Sequence, residues 1–413
     1  MKHRVVVTGA GLVTSLGNTV EEFWENIKNG KCGIGEITRF PLTDDYKVKF
    51  VAEVKDIDFT KHIPKKELKR LDRYAQFGVY AAKEALIDSG LDMEKEDATR
   101  IGMILGSGIG GLETLENAVI VAHEKGVRRL SPFTIPMSIS NMAAGNAAIH
   151  VGAKGICTSV VTACASGTHS IGDAFKALQQ GENDVIFAGG AEATITRTGV
   201  GGFQAITALS TATELDRASI PFDKERSGFV MGEGAGVLVL ETLEHATKRG
   251  AKILAEVVGY GATGDAYHIT SPAPGGEGAV RSMDIALKNA GISPSDIGYI
   301  NAHGTSTEYN DKFETQAIKT VFGDDTKVPV SSTKSMTGHL LGAAGAIESI
   351  ILIQALRTGF LPATINLKVA DEECDLDYIP NVGREQEIKY AMSNSLGFGG
   401  HNGTLIFKKW EGQ

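Results

Sequence analysis

One cysteine has the surroundings of a nucleophile. Cys164 lies in the segment 160–167, VVTACASG, where a β-branched run gives way to small residues that leave room for a substrate. If a strand turns into a helix here, the thiol feels the positive end of the helix dipole, which favours the thiolate. The same turn presents backbone N–H groups that can hold an oxyanion. The alternative is a buried, inert cysteine, which is a common environment and which we assign to Cys32, Cys157 and Cys374.

Two histidines lie in polar, glycine-containing turns that follow apolar runs. His303 belongs to 301–307, NAHGTST, and His339 belongs to 332–345, STKSMTGHLLGAAG. Such turns at the carboxyl ends of strands are where α/β proteins place their sites. A zinc pair is an alternative, although neither histidine has a carboxylate or a second histidine at zinc-ligand spacing. The other eight histidines, including His169, are assigned to surface or structural positions.

Two further glycine-rich segments attract attention. In 393–402, SNSLGFGGHN, Phe398 stands among glycines, which suits either a mobile loop with a bulky tip or a plain hairpin. The segment 106–111, GSGIGG, matches GxGxxG after a strand, but chance matches are frequent in a glycine-rich chain. The tyrosine–lysine pair of a short-chain dehydrogenase is missing, since no tyrosine is followed by lysine four residues on. A nicotinamide enzyme is therefore disfavoured.

These residues need a scaffold, and short apolar runs alternate with helical patterns along most of the chain. Runs such as 101–105, 185–187 and 297–301 predict strands, while 77–89 and 280–290 predict helices, so the fold class is α/β. A faint duplication relates 85–106 to 286–304, and 158–164 to 328–334. The offsets differ, which indicates an insertion in the first half at about 113–149.

Composition narrows the class of protein. The 413 residues carry a net charge of −9, so nucleic acid is a poor default partner. Four cysteines without CxxC spacing exclude a disulfide scaffold. The sequence contains no unbroken run of about 18 apolar residues, which a membrane span would need. The N-terminus lacks the apolar core of a signal peptide. We therefore expect a cytoplasmic protein that does not act in the membrane.

Together these segments resemble the β-ketoacyl-acyl carrier protein synthases, the condensing enzymes of fatty-acid synthesis. The resemblance covers essentially the whole chain. It is carried by 5–11 (VVVTGAG), 162–167 (TACASG), 221–223 (PFD), 228–236 (GFVMGEGAG), 301–305 (NAHGT), the Lys334–His339 segment and 397–400 (GFGG).

The resemblance implies a thiolase-like fold, in which two similar halves form a five-layered αβαβα body, usually as a homodimer. The expected halves are 1–251, with the cysteine, and 252–413, with both histidines and the GFGG loop. Two histidines indicate an elongating synthase, because the initiating type carries asparagine where His339 stands. Ile109 matches the isoleucine that lines the acyl pocket of synthase II, so we expect this type. Synthase I and a polyketide ketosynthase remain alternatives.

Roles follow residue by residue from the resemblance. Cys164 is the expected nucleophile, and His303 and His339 are expected to stabilise an enolate. The backbone N–H groups of Cys164 and Phe398 are expected to form the oxyanion hole. The remaining assignments are Lys334 (electrostatic support), Glu348 (structural anchor), Gly397 and Gly399 (freedom of the Phe398 gate), and Thr305 and Thr307 (pantetheine contacts).

The resemblance also implies partners and the cofactor requirement. The substrates are acyl and malonyl groups on acyl carrier protein, and no cofactor or metal is required. Some relatives hold a monovalent cation near the positions of Asn301, Glu348 and the 393–394 pair, where Asn394 stands. Acyl carrier proteins are acidic, so a local basic patch must dock them; the candidates are Lys65, Lys66, Lys69, Arg70, Arg128 and Arg129.

Two alternatives outside this reaction remain. A thiolase would need a second cysteine near the C-terminal glycine loop, and 393–402 contains none. A non-catalytic partner subunit of a polyketide system would lack the nucleophile, whereas Cys164 is present.

Overall fold

The computed structural model describes residues 2–412, and these form fourteen strands and thirteen α-helices. The strands are β1 Val5–Val13, β2 Gly35–Glu36, β3 Phe50–Val51, β4 Ile101–Gly106, β5 Cys157–Thr158, β6 Val185–Glu192, β7 Gly234–Thr242, β8 Ala255–Gly264, β9 Ile297–Asn301, β10 Val330–Ser331, β11 Phe360–Leu361, β12 Arg384–Glu385, β13 Tyr390–Gly397 and β14 His401–Lys409. The helices are α1 Val20–Lys28, α2 Lys65–Leu68, α3 Arg73–Ser89, α4 Leu112–Lys125, α5 Thr134–Ser138, α6 Met142–Val151, α7 Ser166–Gln179, α8 Arg197–Ala205, α9 Leu243–Lys248, α10 Glu277–Ala290, α11 Glu308–Phe322, α12 Lys334–Thr337 and α13 Ala344–Thr358.

Ten strands form one mixed sheet in the order β10-β9-β13-β14-β8-β1-β7-β6-β4-β5. From the central β1–β8 pair outward, each side of the sheet has two antiparallel pairings followed by two parallel pairings. Strand β8 thus corresponds to β1, β14 to β7, β13 to β6, β9 to β4 and β10 to β5. The duplication predicted from the sequence is therefore present in the sheet itself.

Helices cover and separate the two halves of the sheet. Helices α3 and α6 pack on the first half, and α10 packs on the second. Helices α7 and α13 lie between the halves, because each contacts strands of both. This gives the expected αβαβα layers, in which the helices cover the apolar faces of the strands.

The two central helices approach each other closely because glycines face the contact. A Cβ on Gly167 would lie 2.9 Å from the carbonyl oxygen of Gly342, and one on Gly345 would lie 1.9 Å from Thr168 Oγ1. Neither position has room for a larger side chain. The start of α7, where Cys164 lies, is thereby held against the start of α13.

The segment that ends in helix α13 is unusually apolar, which the sequence analysis did not predict. The stretch Leu341–Thr358 is long and apolar enough to cross a membrane, yet 89 % of it is buried inside the protein. A helix that is apolar on every face suits the middle layer of a soluble fold equally well. Its composition is thus accounted for by its place between the two sheet halves.

Candidate active site

Cys164, His303 and His339 meet in one place. Their sulfur and ring-nitrogen atoms all lie within 4.8 Å of one another. All three line a cavity of about 360 Å³, and none is more than 8 % exposed. The first half of the fold supplies the cysteine and the second half supplies both histidines.

A sharp turn presents the cysteine. Ala163 has a left-handed φ of +50°, a conformation that costs a non-glycine residue roughly 1–2 kcal/mol. Cys164 follows in a single turn of 3₁₀-helix, and α7 begins at Ser166. Gly397 completes the arrangement, because a Cβ there would lie 2.7 Å from the carbonyl oxygen of Thr162. The β13–β14 hairpin can therefore lie directly against the turn.

The resting sulfur is a thiol. Burial raises the pKa of Cys164 to about 12, against the lowering effects of the Lys334 charge and of hydrogen bonds from the N–H groups of Phe398 and Cys164. The N–H groups of the turn favour the thiolate as expected, but desolvation of the sulfur outweighs them, so the net shift favours the thiol. The two N–H groups that face the sulfur are, however, the pair expected to form the oxyanion hole.

Both histidines are neutral. Burial and the nearby Lys334 charge lower the pKa of His303 and of His339 well below the ordinary value. His339 Nδ1 accepts the N–H of Leu341 at 3.3 Å, so its proton is on Nε2. The two rings lie 5.2 Å apart and nearly perpendicular. A neutral imidazole that carries a proton on Nε2, as His339 does, is suited to donate to a developing oxyanion.

Buried groups fix the two histidine turns. The backbone N–H groups of His303 and Gly304 each donate to the Glu314 carboxylate at 2.8 Å. Burial raises the pKa of Glu314 to about 7. His339 is held through its own backbone, since its N–H donates to the carbonyl oxygen of Val230 at 2.7 Å.

Lys334 lies beneath the histidines and is 2 % exposed. Its ammonium group forms a buried ion pair with Glu348 on α13. Burial raises the pKa of Glu348, and the Lys334 charge opposes the shift. Burial, with the Lys334 charge second, keeps both histidines neutral. The same charge would repel a metal cation at the Cys164–His303–His339 cluster, whose side chains are otherwise of the types that bind zinc.

The cavity contains the other residues expected near the substrate arm. Thr305 and Thr307 both line it, and their hydroxyls are 2.8 Å apart. Phe398 also lines it, half-buried, with its ring centroid 6.2 Å from that of Phe203. Gly399 has a φ of +84°, which only glycine adopts without strain.

Ile109 lies outside this cavity. Its side chain is 40 % exposed, and its loop is tied to the buried carboxylate of Glu192. That carboxylate accepts the N–H groups of Gly108 at 2.7 Å and Gly342 at 3.0 Å, besides Ile109 at 3.3 Å. The GxGxxG segment therefore cradles a protein carboxylate. The acyl-pocket role of Ile109 stays a prediction.

The predicted docking residues are on the surface. Lys65, Lys66, Lys69, Arg70, Arg128 and Arg129 are all exposed. The Arg70 guanidinium lies 4.9 Å from the ring centre of Phe133, which follows Arg129 closely in sequence. The two basic groups therefore lie near each other.

Several residues of the site were not found from the sequence. Phe229 packs edge-on against His339, with ring centroids 5.2 Å apart. Glu192 and Glu314 orient loops through backbone N–H groups. His169, one and a half turns after the nucleophile, is buried beside the site. Single carboxylates and a helix histidine carry no spacing signal, so only tertiary structure reveals them.

The chain is similar to known proteins over its whole length. Residues 2–246 match the β-ketoacyl synthase N-terminal domain, and residues 254–368 match the C-terminal domain. The 3-oxoacyl-[acyl-carrier-protein] synthase 2 of Staphylococcus aureus (strain COL) is 52 % identical over 99 % of both chains.

Two solved structures have the same fold as this chain at lower sequence identity. A β-ketoacyl synthase from Burkholderia phymatum has a TM-score of 0.92 and 34 % identity, covering 100 % of both chains. A type II polyketide ketosynthase, solved in complex with its acyl carrier protein, has a TM-score of 0.92 and 36 % identity over 99 % of this chain and 100 % of that one. This chain belongs to the β-ketoacyl synthase family of condensing enzymes.

Proposed function

We propose that this protein is a 3-oxoacyl-[acyl-carrier-protein] synthase of type II, which condenses an acyl group with malonyl-acyl carrier protein. The observation that carries the proposal is the meeting of Cys164 with two neutral histidines in one buried cavity. The 52 % identity to a full-length synthase 2 supports the type.

In the first half-reaction, the sulfur of Cys164 attacks the thioester carbonyl of the acyl carrier substrate. The sulfur–carbon bond forms, and the negative oxygen of the tetrahedral intermediate accepts the N–H groups of Cys164 and Phe398. The thioester bond then breaks. The departing pantetheine sulfur gains a proton in exchange for the one that the Cys164 thiol loses, and an acyl-cysteine remains.

In the second half-reaction, malonyl-carrier protein enters and loses carbon dioxide. The electron pair of the broken carbon–carbon bond forms an enolate, whose oxygen accepts hydrogen bonds from His303 and His339. The enolate carbon attacks the acyl-cysteine carbonyl, and the bond to Cys164 breaks. The products are a 3-oxoacyl carrier two carbons longer and a cysteine that regains a proton.

Lys334 supports this chemistry without touching the substrate. Its charge lowers the pKa of both histidines and of Cys164. All groups that the two half-reactions need are side chains and backbone of this chain. We therefore propose that the reaction requires no cofactor.

Carrier proteins would dock beside the cavity. A related ketosynthase has been solved with its acyl carrier protein, which supports the same partner here. The cavity walls offer the Thr305 and Thr307 hydroxyls to the amide groups of a pantetheine arm. The exposed basic residues around Lys69 and Arg129 would attract an acidic carrier.

We further propose a homodimer. Strand β5 ends the ten-stranded sheet, and both its residues are exposed. The adjoining insertion exposes many apolar side chains: Leu115, Val119, Ile120, Val127, Ile135, Ile139 and Ile149. A second copy would pair the open edge and cover this surface. Light scattering should give twice the chain mass for the wild type and the single-chain mass for Val119→Asp with Ile135→Asp. A monomeric wild type would contradict the proposal.

The cytoplasmic location stays a prediction.

A monovalent cation fits near the predicted positions. Asn301 Oδ1, Glu348 Oε2 and Ser393 Oγ are all buried and lack a hydrogen-bond partner among the described residues, and Asn301 and Ser393 are register partners. Oxygen ligands suit hard cations. Exchanging Na⁺ and K⁺ for tetramethylammonium should lower the melting temperature of the wild type more than that of Ser393→Ala. Equal melting temperatures in all three salts would exclude the cation.

The function is tested by separating the half-reactions. His303→Ala and His339→Ala should still form an acyl-enzyme with acyl-carrier protein but should release little carbon dioxide from malonyl-carrier protein. Cys164→Ala should form no acyl-enzyme. Normal decarboxylation in both histidine variants would contradict the assigned roles.

The remaining candidate is a polyketide ketosynthase, favoured by the solved relatives at 35–36 % identity. Product length distinguishes the two. A type II synthase should acylate with a hexadecenoyl carrier and add two carbons once. A polyketide enzyme should prefer short primers and extend them repeatedly.

A further inference from the structure

His169 is a buried histidine that the two half-reactions leave without a role. It lies on α7, five residues after Cys164, and is 7 % exposed. Burial lowers its pKa, so it is neutral at pH 7. Both of its ring nitrogens are nevertheless engaged.

The two hydrogen bonds fix its tautomer. Nε2 lies 3.1 Å from the carbonyl oxygen of Asn402, which can only accept, so Nε2 carries the proton. Nδ1 lies 2.8 Å from Thr162 Oγ1 and must then accept from that hydroxyl. The ring therefore connects a residue just before Cys164 to the β13–β14 hairpin.

Each end of this bridge lies a few residues along the chain from one oxyanion donor. Thr162 opens the Cys164 turn, and its carbonyl oxygen accepts the N–H of Ala165 at 3.1 Å. Asn402 pairs across the hairpin with Leu396, and Leu396 lies two residues before Phe398. The separation between the N–H groups of Cys164 and Phe398 thus depends on how the turn and the hairpin are held together.

We propose that His169 is a positioning residue that sets the geometry of the oxyanion hole by linking Thr162 to Asn402. This inference rests on the proposed condensing function. The Thr168–Ser395 hydroxyl contact, at 2.6 Å, also joins α7 to β13 but does not reach the Cys164 turn. Loss of His169 should consequently loosen one distance and leave the hairpin in place.

The role predicts a selective defect. Acylation of Cys164 needs the oxyanion hole, whereas decarboxylation of malonyl-carrier protein needs the histidine pair. A misplaced donor should therefore slow acylation by about 10- to 100-fold at saturating substrate. The KM for the carrier and the rate of decarboxylation should stay unchanged, because among the described residues no hydrogen bond joins His169 to His303, to His339 or to the basic docking residues.

Four variants test the bridge from both sides. His169→Gln can still reach Asn402 but cannot accept from Thr162, and His169→Asn can accept from Thr162 but cannot reach Asn402. Thr162→Val removes the hydroxyl and leaves the histidine intact, while Thr162→Ser retains a hydroxyl. His245→Gln is the matched control, because His245 bridges Glu96 and Glu241 at the opposite end of β4 from Cys164.

Acylation is followed by rapid-quench intact mass, and decarboxylation by carbon dioxide release after Cys164 has been alkylated. Slow acylation with normal decarboxylation in His169→Gln, His169→Asn and Thr162→Val, and recovery in Thr162→Ser, is the expected result. Wild-type acylation rates in Thr162→Val and both His169 variants would overturn the proposal. A parallel fall in both half-reactions would also overturn it, since that indicates general loosening of the site. Absence of acylation in the wild type would instead overturn the proposed function.

Discussion

At the scale of single residues, burial governs the chemistry of the nucleophile more strongly than the helix terminus does. The thiol of Cys164 has a pKa raised to about 12 by burial, while Lys334 and two N–H groups pull it down. Such a sulfur is stable as a thiol, so the proposed acylation requires Cys164 to lose its proton as it attacks the thioester.

This predicts the pH dependence of alkylation. Because the folded pKa lies above the free value of about 8.5, the thiolate fraction of Cys164 should keep rising through about pH 10, where that of a free thiol levels off. The rate of iodoacetamide labelling of the Cys164 peptide should rise about tenfold per pH unit without a plateau. A simple free thiol serves as the reference and should level off. A plateau for Cys164 below pH 8 would contradict the account.

A second residue-scale prediction concerns Gly397. Its replacement by alanine puts a Cβ 2.7 Å from the Thr162 carbonyl and 3.3 Å from the Cys164 nitrogen. Such crowding should lower the free energy of unfolding by about 1–3 kcal/mol and slow acylation, because the Phe398 N–H is displaced. Denaturant unfolding and acylation kinetics measure the two effects.

Gly35→Ala is the control for this change, since no atom lies within 4 Å of a Cβ at that strand position. Normal acylation in Gly397→Ala would show that close approach of the hairpin is unnecessary.

At the scale of elements, carboxylates organise loops around the site. Glu192 at the end of β6 gathers N–H groups from the Gly108–Ile109 loop and from Gly342, just after His339. Burial raises the pKa of Glu192 to about 7. Its raised pKa means that the carboxylate depends on these donors to remain charged at neutral pH.

Glu192→Gln should accordingly be destabilising. An amide nitrogen cannot accept the N–H groups that the second carboxylate oxygen accepts, so buried donors lose their partners. The expected loss is about 1–3 kcal/mol in the free energy of unfolding, measured by denaturant titration. Glu277→Gln, on an exposed Arg281 pair, is the control and should change little. Equal stability of Glu192→Gln and wild type would contradict the cradle.

The sequence predicts elements better than it predicts their environments. Runs such as 101–105 form strands because β-branched residues suit a buried sheet, and the duplication is visible because paired halves repeat the same turns. The net shift in the pKa of Cys164 could not be predicted from its turn alone, because desolvation depends on packing across the chain. The position of the Ile109 loop could not be predicted for the same reason, since Glu192, far away in sequence, holds it.

At the scale of the whole molecule, the site lies where the two halves meet. The nucleophile comes from the start of α7 and the histidines from loops after β9 and α12. The central helices hold these parts together, since Gly167 and Gly345 permit their close contact. Duplication thus provides two similar sheet ends, each of which contributes a different part of one reaction.

The surface makes a further prediction. The net charge is −9, so docking of an acidic carrier depends on the exposed basic residues. Lys69→Glu with Arg129→Glu should raise the KM for carrier substrates roughly tenfold, and the wild-type KM should rise with salt. Acylation by a small thioester should stay normal.

Lys248→Glu with Lys288→Glu, two exposed positions elsewhere on the surface, is the control with the same charge change. If both double variants raise the KM equally, the effect is one of net charge and the docking patch is wrong.

In the proposed mechanism, Cys164 carries the acyl chain between the two half-reactions. The direct measurement is intact-protein mass after mixing with a hexadecenoyl-carrier protein, before and after addition of malonyl-carrier protein, beside Cys164→Ala. We expect one acyl adduct on the wild type alone, which malonyl-carrier protein discharges as a 3-oxoacyl product. An adduct on Cys164→Ala, or condensed product without any adduct on the wild type, would contradict it.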